Sequence, residues 1–150
     1  MFAALRTHLC AGRRVYGEGG GAAYLCRQME TPSGEIKRMA GILPAVARLV
    51  RKPAAAVPVE VRLARSTWLG REGARLRGYH NPNWRFEPFD DAALLLEEPE
   101  HRCDLISACQ TVGSLIHLDF AADADCLDRF FDPEPEPCAS LGSEDAPFSI

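Results

Sequence analysis

The sequence predicts an α/β fold in which a small mixed β-sheet is flanked by helices, and three observations support this. The chain has 150 residues, 47% of them hydrophobic, which is enough to bury one core without metals or disulfides. Residues 57–64 alternate apolar and polar side chains, as a half-buried strand does. Residues 35–52 place apolar side chains at a 3.6-residue spacing opposite a basic face, as an amphipathic helix does.

The charge of the chain is divided unevenly between its two halves. Residues 1–87 contain 15 Lys or Arg and 6 Asp or Glu, whereas residues 88–150 contain 2 and 15. The acidic second half argues against nucleic-acid binding over the whole surface, while the basic first half could face phosphate. We therefore expect a protein that lies between unlike neighbours.

Residues 1–21 are predicted to be a basic leader. They contain three arginines and no acid before Glu18, and an amphipathic, acid-poor pattern of this kind is typical of a mitochondrial targeting segment. A frayed basic terminus is the alternative. Residues 17–21, GEGGG, are interpreted as a flexible linker, because Ala22 stands where a dinucleotide-binding loop needs its third glycine.

The remainder of the chain is divided by its turn signals. Asn81, Pro82 and Asn83 have type I turn chemistry, so residues 75–89 are predicted to form a hairpin. The pattern of residues 101–120 fits helix and strand equally well. The predicted regions after the leader are an α/β domain (22–98), a helical extension (99–131) and an acidic, proline-rich tail (132–150).

The predicted hairpin alternates arginines with aromatic rings. Such a surface can neutralise phosphates and stack on unpaired bases, and the same residue types are enriched in protein interfaces. We favour protein contact over the two alternatives, which are RNA contact and a place in the hydrophobic core, the latter first for Trp84 or Phe86. The predicted contact residues are Arg75, Arg77, Tyr79, Trp84 and Arg85.

The sequence contains no clear set of catalytic residues. His117 with Asp119, or His80 with Asp90 or Asp91, can be drawn as a base and its orienting acid. However, no Ser or Cys stands in an activating context. We therefore predict no catalytic residue, no cofactor and no enzymatic activity.

Three soft ligands lie close together in the sequence at His101, Cys103 and Cys109, and with Cys126 or His117 as a fourth ligand they could hold zinc. The favoured alternative places Cys109 among the apolar side chains of a helix, so no metal site is predicted. The wide spacing of the six cysteines and the lack of a secretory signal indicate reduced thiols.

Four segments carry a resemblance to a known family: SGE at 33–35, ILPAVARLVRKP at 42–53, VPVEVR at 57–62 and LRGYHN at 76–81. They resemble the thioredoxin-like domain of small mitochondrial ribosomal proteins and of an accessory subunit of respiratory NADH dehydrogenase. Here Lys52 and Pro53 stand where Asn-Pro is usual. The resemblance implies a thioredoxin-like fold without a dithiol motif and a structural role.

Taken with the leader, the resemblance implies a non-catalytic structural subunit of a mitochondrial assembly, with the mitochondrial ribosome favoured. An accessory subunit of a respiratory-chain complex and an acidic-tailed protein-interaction adaptor are the alternatives. The expected partners are other protein subunits and rRNA contacted through the basic first half, and the expected location is mitochondrial.

Overall fold

Ten strands and three short helices make up most of the computed structural model, which describes residues 2–122 and 124–131. The strands are β1 (Val15–Glu18), β2 (Cys26–Glu30), β3 (Ile36–Arg38), β4 (Leu43–Leu49), β5 (Val57–Arg62), β6 (Arg75–His80), β7 (Trp84–Pro88), β8 (Leu105–Ala108), β9 (Thr111–Ser114) and β10 (Ile116–Leu118). The helices are α1 (Phe2–Cys10), α2 (Gly20–Leu25) and α3 (Ala124–Phe131). The prediction of a mixed α/β domain is confirmed.

The strands form three small sheets. The first has the order β1-β9-β8, with β1 parallel to β9. The second is antiparallel with the order β10-β6-β5, and the third has the order β3-β2-β4-β7, with β2 parallel to β4. The β1-β9-β8 sheet is the middle layer, because alternate residues along its strands contact two different hydrophobic clusters.

Two hydrophobic clusters form the core, one on each face of this middle sheet. Ile106 belongs to the cluster shared with α2 and the third sheet, while its neighbour Leu105 belongs to the cluster shared with the second sheet. Leu9 of α1 is fully buried, so part of the predicted leader packs into the folded domain. Its targeting role stays a prediction.

The prediction of a helix over residues 35–52 is wrong, because this segment contains strands β3 and β4. Pro44 cannot donate in a helix interior, which weakens the helical alternative. In β4 the buried side chains are Leu43, Ala45 and Ala47, and those between them are less buried, so the two-residue period prevails. The 3.6-residue stripe was therefore a coincidence of spacing.

The predicted hairpin over residues 75–89 is wrong. Strand β6 pairs with β5 and β10, whereas β7 pairs with β4 in a different sheet. The turn chemistry is present, since the Asn83 amide donates to Asn81 Oδ1 over 3.3 Å. The turn sends the chain from one sheet to another rather than folding it back on itself.

Residues 99–131, predicted to be helical, contain strands β8, β9 and β10 before the short helix α3. Residues 101–120, whose pattern fits helix and strand equally well, therefore form mainly strands. The acidic tail at 132–150 lies outside the described residues, and the domain boundaries stay a prediction. None of the helices in the described ranges is long and apolar enough to cross a membrane.

Gly78→Ala should lower the free energy of unfolding by about 1–3 kcal/mol, because an added methyl group would overpack the junction of β6 and β10. A Cβ at Gly78 would overlap the His117 carbonyl oxygen and lie 2.8 Å from Ile116 Cγ2. Urea denaturation measures the change. As the control, Gly21→Ala adds a Cβ in α2 that meets nothing within 4 Å and should not destabilise. Equal losses in both variants would contradict this account.

Candidate active site

A sharp turn joins β1 to α2 at a single residue, Gly19. Its φ is 52° and its ψ is −115°, a conformation that residues with a side chain adopt only under strain. A strained turn from strand to helix is the geometry of a nucleophile elbow, which presents the side chain at the turn to a substrate. A Cβ at Gly19 would meet nothing within 4 Å, so the position opens onto free space.

The segment 17–21 is therefore not the flexible linker that the sequence suggested. Gly17 is buried in β1, and a Cβ there would lie 3.0 Å from the backbone nitrogen of Ala22. Only glycine at this point lets α2 pack so closely against β1. The glycines of this segment serve the approach of a helix to a strand and the sharp turn between them.

His117 and Glu18 form a hydrogen-bonded pair beside this turn. His117 Nδ1 lies 2.5 Å from Glu18 Oε1. A carboxylate only accepts hydrogen bonds, so Nδ1 carries a proton, and in the neutral ring Nε2 is the nitrogen with the free lone pair. The His117 side chain is 71% exposed and that of Glu18 is 33% exposed. The pair has the form of a general base and the acid that orients it.

Two further residues hold this pair in place. The Tyr16 hydroxyl donates to Glu18 Oε2 over 3.2 Å, and burial raises the pKa of Tyr16 well above its usual value, so it remains a donor. The Gly19 amide donates to the Ser114 carbonyl over 2.9 Å. Ser114 Oγ in turn donates to the Ile116 carbonyl over 2.6 Å, which fixes the corner that leads to His117.

The position where an elbow presents its nucleophile has no side chain in this protein. Cys26, which follows α2, is a poor substitute, because burial raises the pKa of its thiol to about 12. Cys109 is disulfide-bonded, which differs from the expectation of reduced thiols. The histidine pair therefore stands beside an elbow that presents only the backbone of Gly19.

Three of the predicted contact residues lie on β6, close to this site. Tyr79 is opposite His117 on one side and Pro58 on the other, so the three side chains share one face of the sheet. Arg75 and Arg77 lie on the same face, and both pair with Glu60 at 3.1 and 2.8 Å. A shallow pocket of about 370 Å³ is lined by residues of this face, including Arg77 and Tyr79.

The other two predicted contact residues, Trp84 and Arg85, lie on β7 in the third sheet. Trp84 is half-buried against the first hydrophobic cluster, and Arg85 is exposed. The five residues therefore do not form one ribbon. Their role in contacting a partner stays a prediction.

The acids that the sequence suggested as partners of the histidines are not the acids that contact them in the structure. His117 meets Glu18 rather than Asp119, and His80 meets Asp104 rather than Asp90, which caps a 3-10 turn. The signal that was missed is the short strand VYGE followed by glycines and AAYL, a strand-turn-helix pattern that the leader interpretation concealed.

No family model matches the chain. A cobyrinate a,c-diamide synthase of Thermoplasma acidophilum is 28% identical over 123 residues, which cover 80% of this chain and 28% of that protein. A crystal structure of a glutamine amidotransferase matches with a TM-score of 0.62 and 16% identity, covering 87% of this chain and 65% of that one. The chain thus spans less than a third of its curated relative.

These relatives overturn the predicted function. Both are named as enzymes, a diamide synthase and an amidotransferase, and neither is a structural subunit. The predictions of a non-catalytic ribosomal or respiratory-chain subunit and of no enzymatic activity are therefore wrong. The error came from treating the segment around Gly19 as a leader and linker, which removed half of the site from consideration.

Cys26 should resist alkylation by iodoacetamide at pH 8 in the folded protein, whereas the exposed Cys10 should react. The reason is that burial raises the pKa of Cys26 from the ordinary 9.0 to about 12. An unfolded chain loses this proton first, so stability should also fall as the pH rises from 9 towards 12. Peptide mass spectrometry after labelling measures the reactivity, and rapid labelling of native Cys26 would contradict the prediction.

Proposed function

We propose that this chain is an amidotransferase-type catalytic domain that acts on a carboxamide such as that of glutamine. The observation that carries the proposal is the elbow at Gly19 with the His117–Glu18 pair beside it. The likeness to a glutamine amidotransferase and to a diamide synthase supports the same reaction class. The substrate carboxamide lies in the open space next to Gly19.

In the proposed reaction, His117 Nε2 accepts a proton from a water molecule as that water adds to the amide carbon. Glu18 accepts the Nδ1 hydrogen bond and stabilises the imidazolium that forms. His117 then returns the proton to the amide nitrogen, the carbon–nitrogen bond breaks, and ammonia leaves. The carbonyl carbon retains the oxygen of the water as a carboxylic acid, which gives its remaining proton to the released ammonia and becomes a carboxylate, with ammonium as the second product.

Water is the attacking group in this proposal because Gly19 provides neither a thiol nor a hydroxyl. A side-chain nucleophile would divide the reaction into two easier steps through a covalent acyl intermediate. Without one, the base acts on water in a single addition, and turnover of glutamine should be slow. A Cβ at Gly19 would meet nothing within 4 Å beyond its chain neighbours, and we place the water and the carboxamide at this open position.

The exposed face of β6 and β5 extends the proposed site away from His117. Arg77, which also pairs with Glu60, and Tyr79 offer a cation and a hydroxyl group along a pocket of about 370 Å³. The acids Glu60 and Asp119 line the same pocket. A guanidinium suits a carboxylate of the bound molecule, because it can donate two parallel hydrogen bonds. We propose that a carboxylated compound binds here, which fits the diamide chemistry in the name of the curated relative.

His117→Ala should lower ammonia release from L-glutamine by about 100-fold or more, because general-base catalysis contributes at least that much. Glu18→Gln should lower it as well, since an amide in place of the carboxylate no longer fixes the tautomer of His117. A coupled assay of ammonia measures both variants. His8→Ala, which changes a histidine in α1, is the matched control and should keep the wild-type rate.

Gly19→Cys should raise ammonia release at least about tenfold above the wild-type rate, because it places a thiol at the elbow next to a base. The positive φ makes the substitution cost about 1–3 kcal/mol of stability. Gly19→Ala carries the same strain without a thiol and should gain nothing. Rates unaffected by every one of these substitutions would show that the elbow is not the active site.

Arg77→Ala should raise the KM for a carboxylated substrate and change kcat little, because it removes binding that is equal in the ground and transition states. Arg85→Ala removes an exposed arginine from the third sheet and should change neither constant. Steady-state kinetics with L-glutamine compare the two. Equal effects would argue that only overall charge matters.

The mitochondrial location and the partners within a large complex stay predictions. The same holds for the thioredoxin-like resemblance. None of them is needed for the proposed reaction.

A further inference from the structure

His80, His101 and Asp104 form a second cluster of chemically active side chains, apart from the His117–Glu18 pair. His80 Nε2 lies 3.3 Å from Asp104 Oδ2, and His101 Nδ1 lies 2.7 Å from the same oxygen. One ligand atom from each residue lies within 4.8 Å of the other two. In the described ranges 2–122 and 124–131, this is the one group of three His, Cys, Asp or Glu residues that meets this spacing.

The backbone around the cluster is held by hydrogen bonds to one residue. The Leu115 amide donates to the Asp104 carbonyl over 2.7 Å, and the Asn81 amide donates to the Leu115 carbonyl over 3.0 Å. The end of β6 and the turn before β8 are thereby joined at Leu115. His80 and His101 are each 21% exposed at the side chain and Asp104 is 14% exposed, so the cluster is largely shielded.

These residues are a ligand set for a divalent transition metal. Imidazole nitrogens suit Zn²⁺, Fe²⁺ and Ni²⁺, and two histidines with one carboxylate are a common protein ligand set for such ions. Around a tetrahedral Zn²⁺ with bonds of about 2.1 Å, neighbouring ligand atoms are about 3.4 Å apart. The separations of 3.3 and 2.7 Å from Asp104 Oδ2 are shorter than this value, so the ligand atoms would have to move apart to admit the ion.

The cluster also borders open space in which a further ligand could lie. A pocket of about 470 Å³ is lined by His80 and Asp104 together with Cys103 and Glu100. A metal held by three protein ligands at the wall of such a pocket keeps a coordination position for water or for a bound molecule. The sequence suggested His101, Cys103 and Cys109 as metal ligands. Only His101 belongs to the set found in the structure, and its other members are His80 at the end of β6 and Asp104 in the turn before β8.

We propose that His80, His101 and Asp104 bind one Zn²⁺ ion, with the open coordination position facing this pocket. The proposal does not depend on the function of the His117 site. The alternative is a hydrogen-bond network in which both rings donate to Asp104 and no ion binds. A direct measurement of metal affinity distinguishes the zinc site from the hydrogen-bond network.

The test is isothermal titration calorimetry of the 150-residue, chelator-treated chain with ZnCl₂ alone. The expected result is one bound ion per chain in the wild type and in His8→Ala and His117→Ala, which remove the other two histidines. His101→Ala and Asp104→Asn should each weaken binding by more than about 100-fold, because the loss of a direct ligand exceeds the effect of losing a supporting residue. Circular dichroism confirms that each variant is folded.

Thermal unfolding provides a second readout. Zn²⁺ should raise the Tm of the wild type and of His8→Ala, and it should leave the Tm of Asp104→Asn unchanged. The proposal is overturned if the wild type binds no zinc. It is also overturned if His8→Ala or His117→Ala loses binding while His101→Ala keeps it.

Discussion

The corner between β9 and β10 is the constraint on which the rest of the structure depends. Leu115 packs into one hydrophobic cluster and the next residue, Ile116, packs into the other, as Ile106 and Leu105 also do, so adjacent residues join the two halves of the core at this corner. The backbone of Ser114 accepts from Gly19, and Leu115 binds both Asp104 and Asn81. A chain that formed either half of the core incorrectly would lose this corner.

Both candidate sites follow from that corner. On one side, the hydrogen bond from Gly19 to Ser114 brings the end of β1 next to β10 and places Glu18 within reach of His117. On the other side, the bonds to Leu115 bring His80 close to Asp104. The polar groups of the corner are themselves satisfied, since Ser114 Oγ both donates to and accepts from Ile116. A buried network of this kind is rigid, which is what a preorganised site requires.

The sequence predicted individual strands better than it predicted their partners. The sequence predicts a strand over residues 57–64, and β5 covers Val57–Arg62. The alternation is visible because one face of that strand is more exposed than the other. Strand β1 lies in the predicted leader, and β8 and β9 lie in residues 101–120, whose pattern fits helix and strand equally well. Strands such as β8 and β9, with both faces covered, read as short apolar runs without a visible alternation. The error at residues 35–52 arose because a stripe at helical spacing coincided with a strand that has proline at its second residue.

The roles of the histidines could not be derived from sequence, because each role is decided by a partner distant along the chain. Glu18 and His117 are 99 residues apart, and no local motif connects them. His117 has one ring nitrogen engaged and is largely exposed, which suits a base that must meet a substrate. His80 and His101 direct nitrogens at one shared carboxylate and are mostly covered, which suits ligands that must converge on a point. In the roles that we propose, the same side chain therefore serves proton transfer in one setting and metal binding in the other, according to how many rings share one carboxylate and how much water reaches the ring.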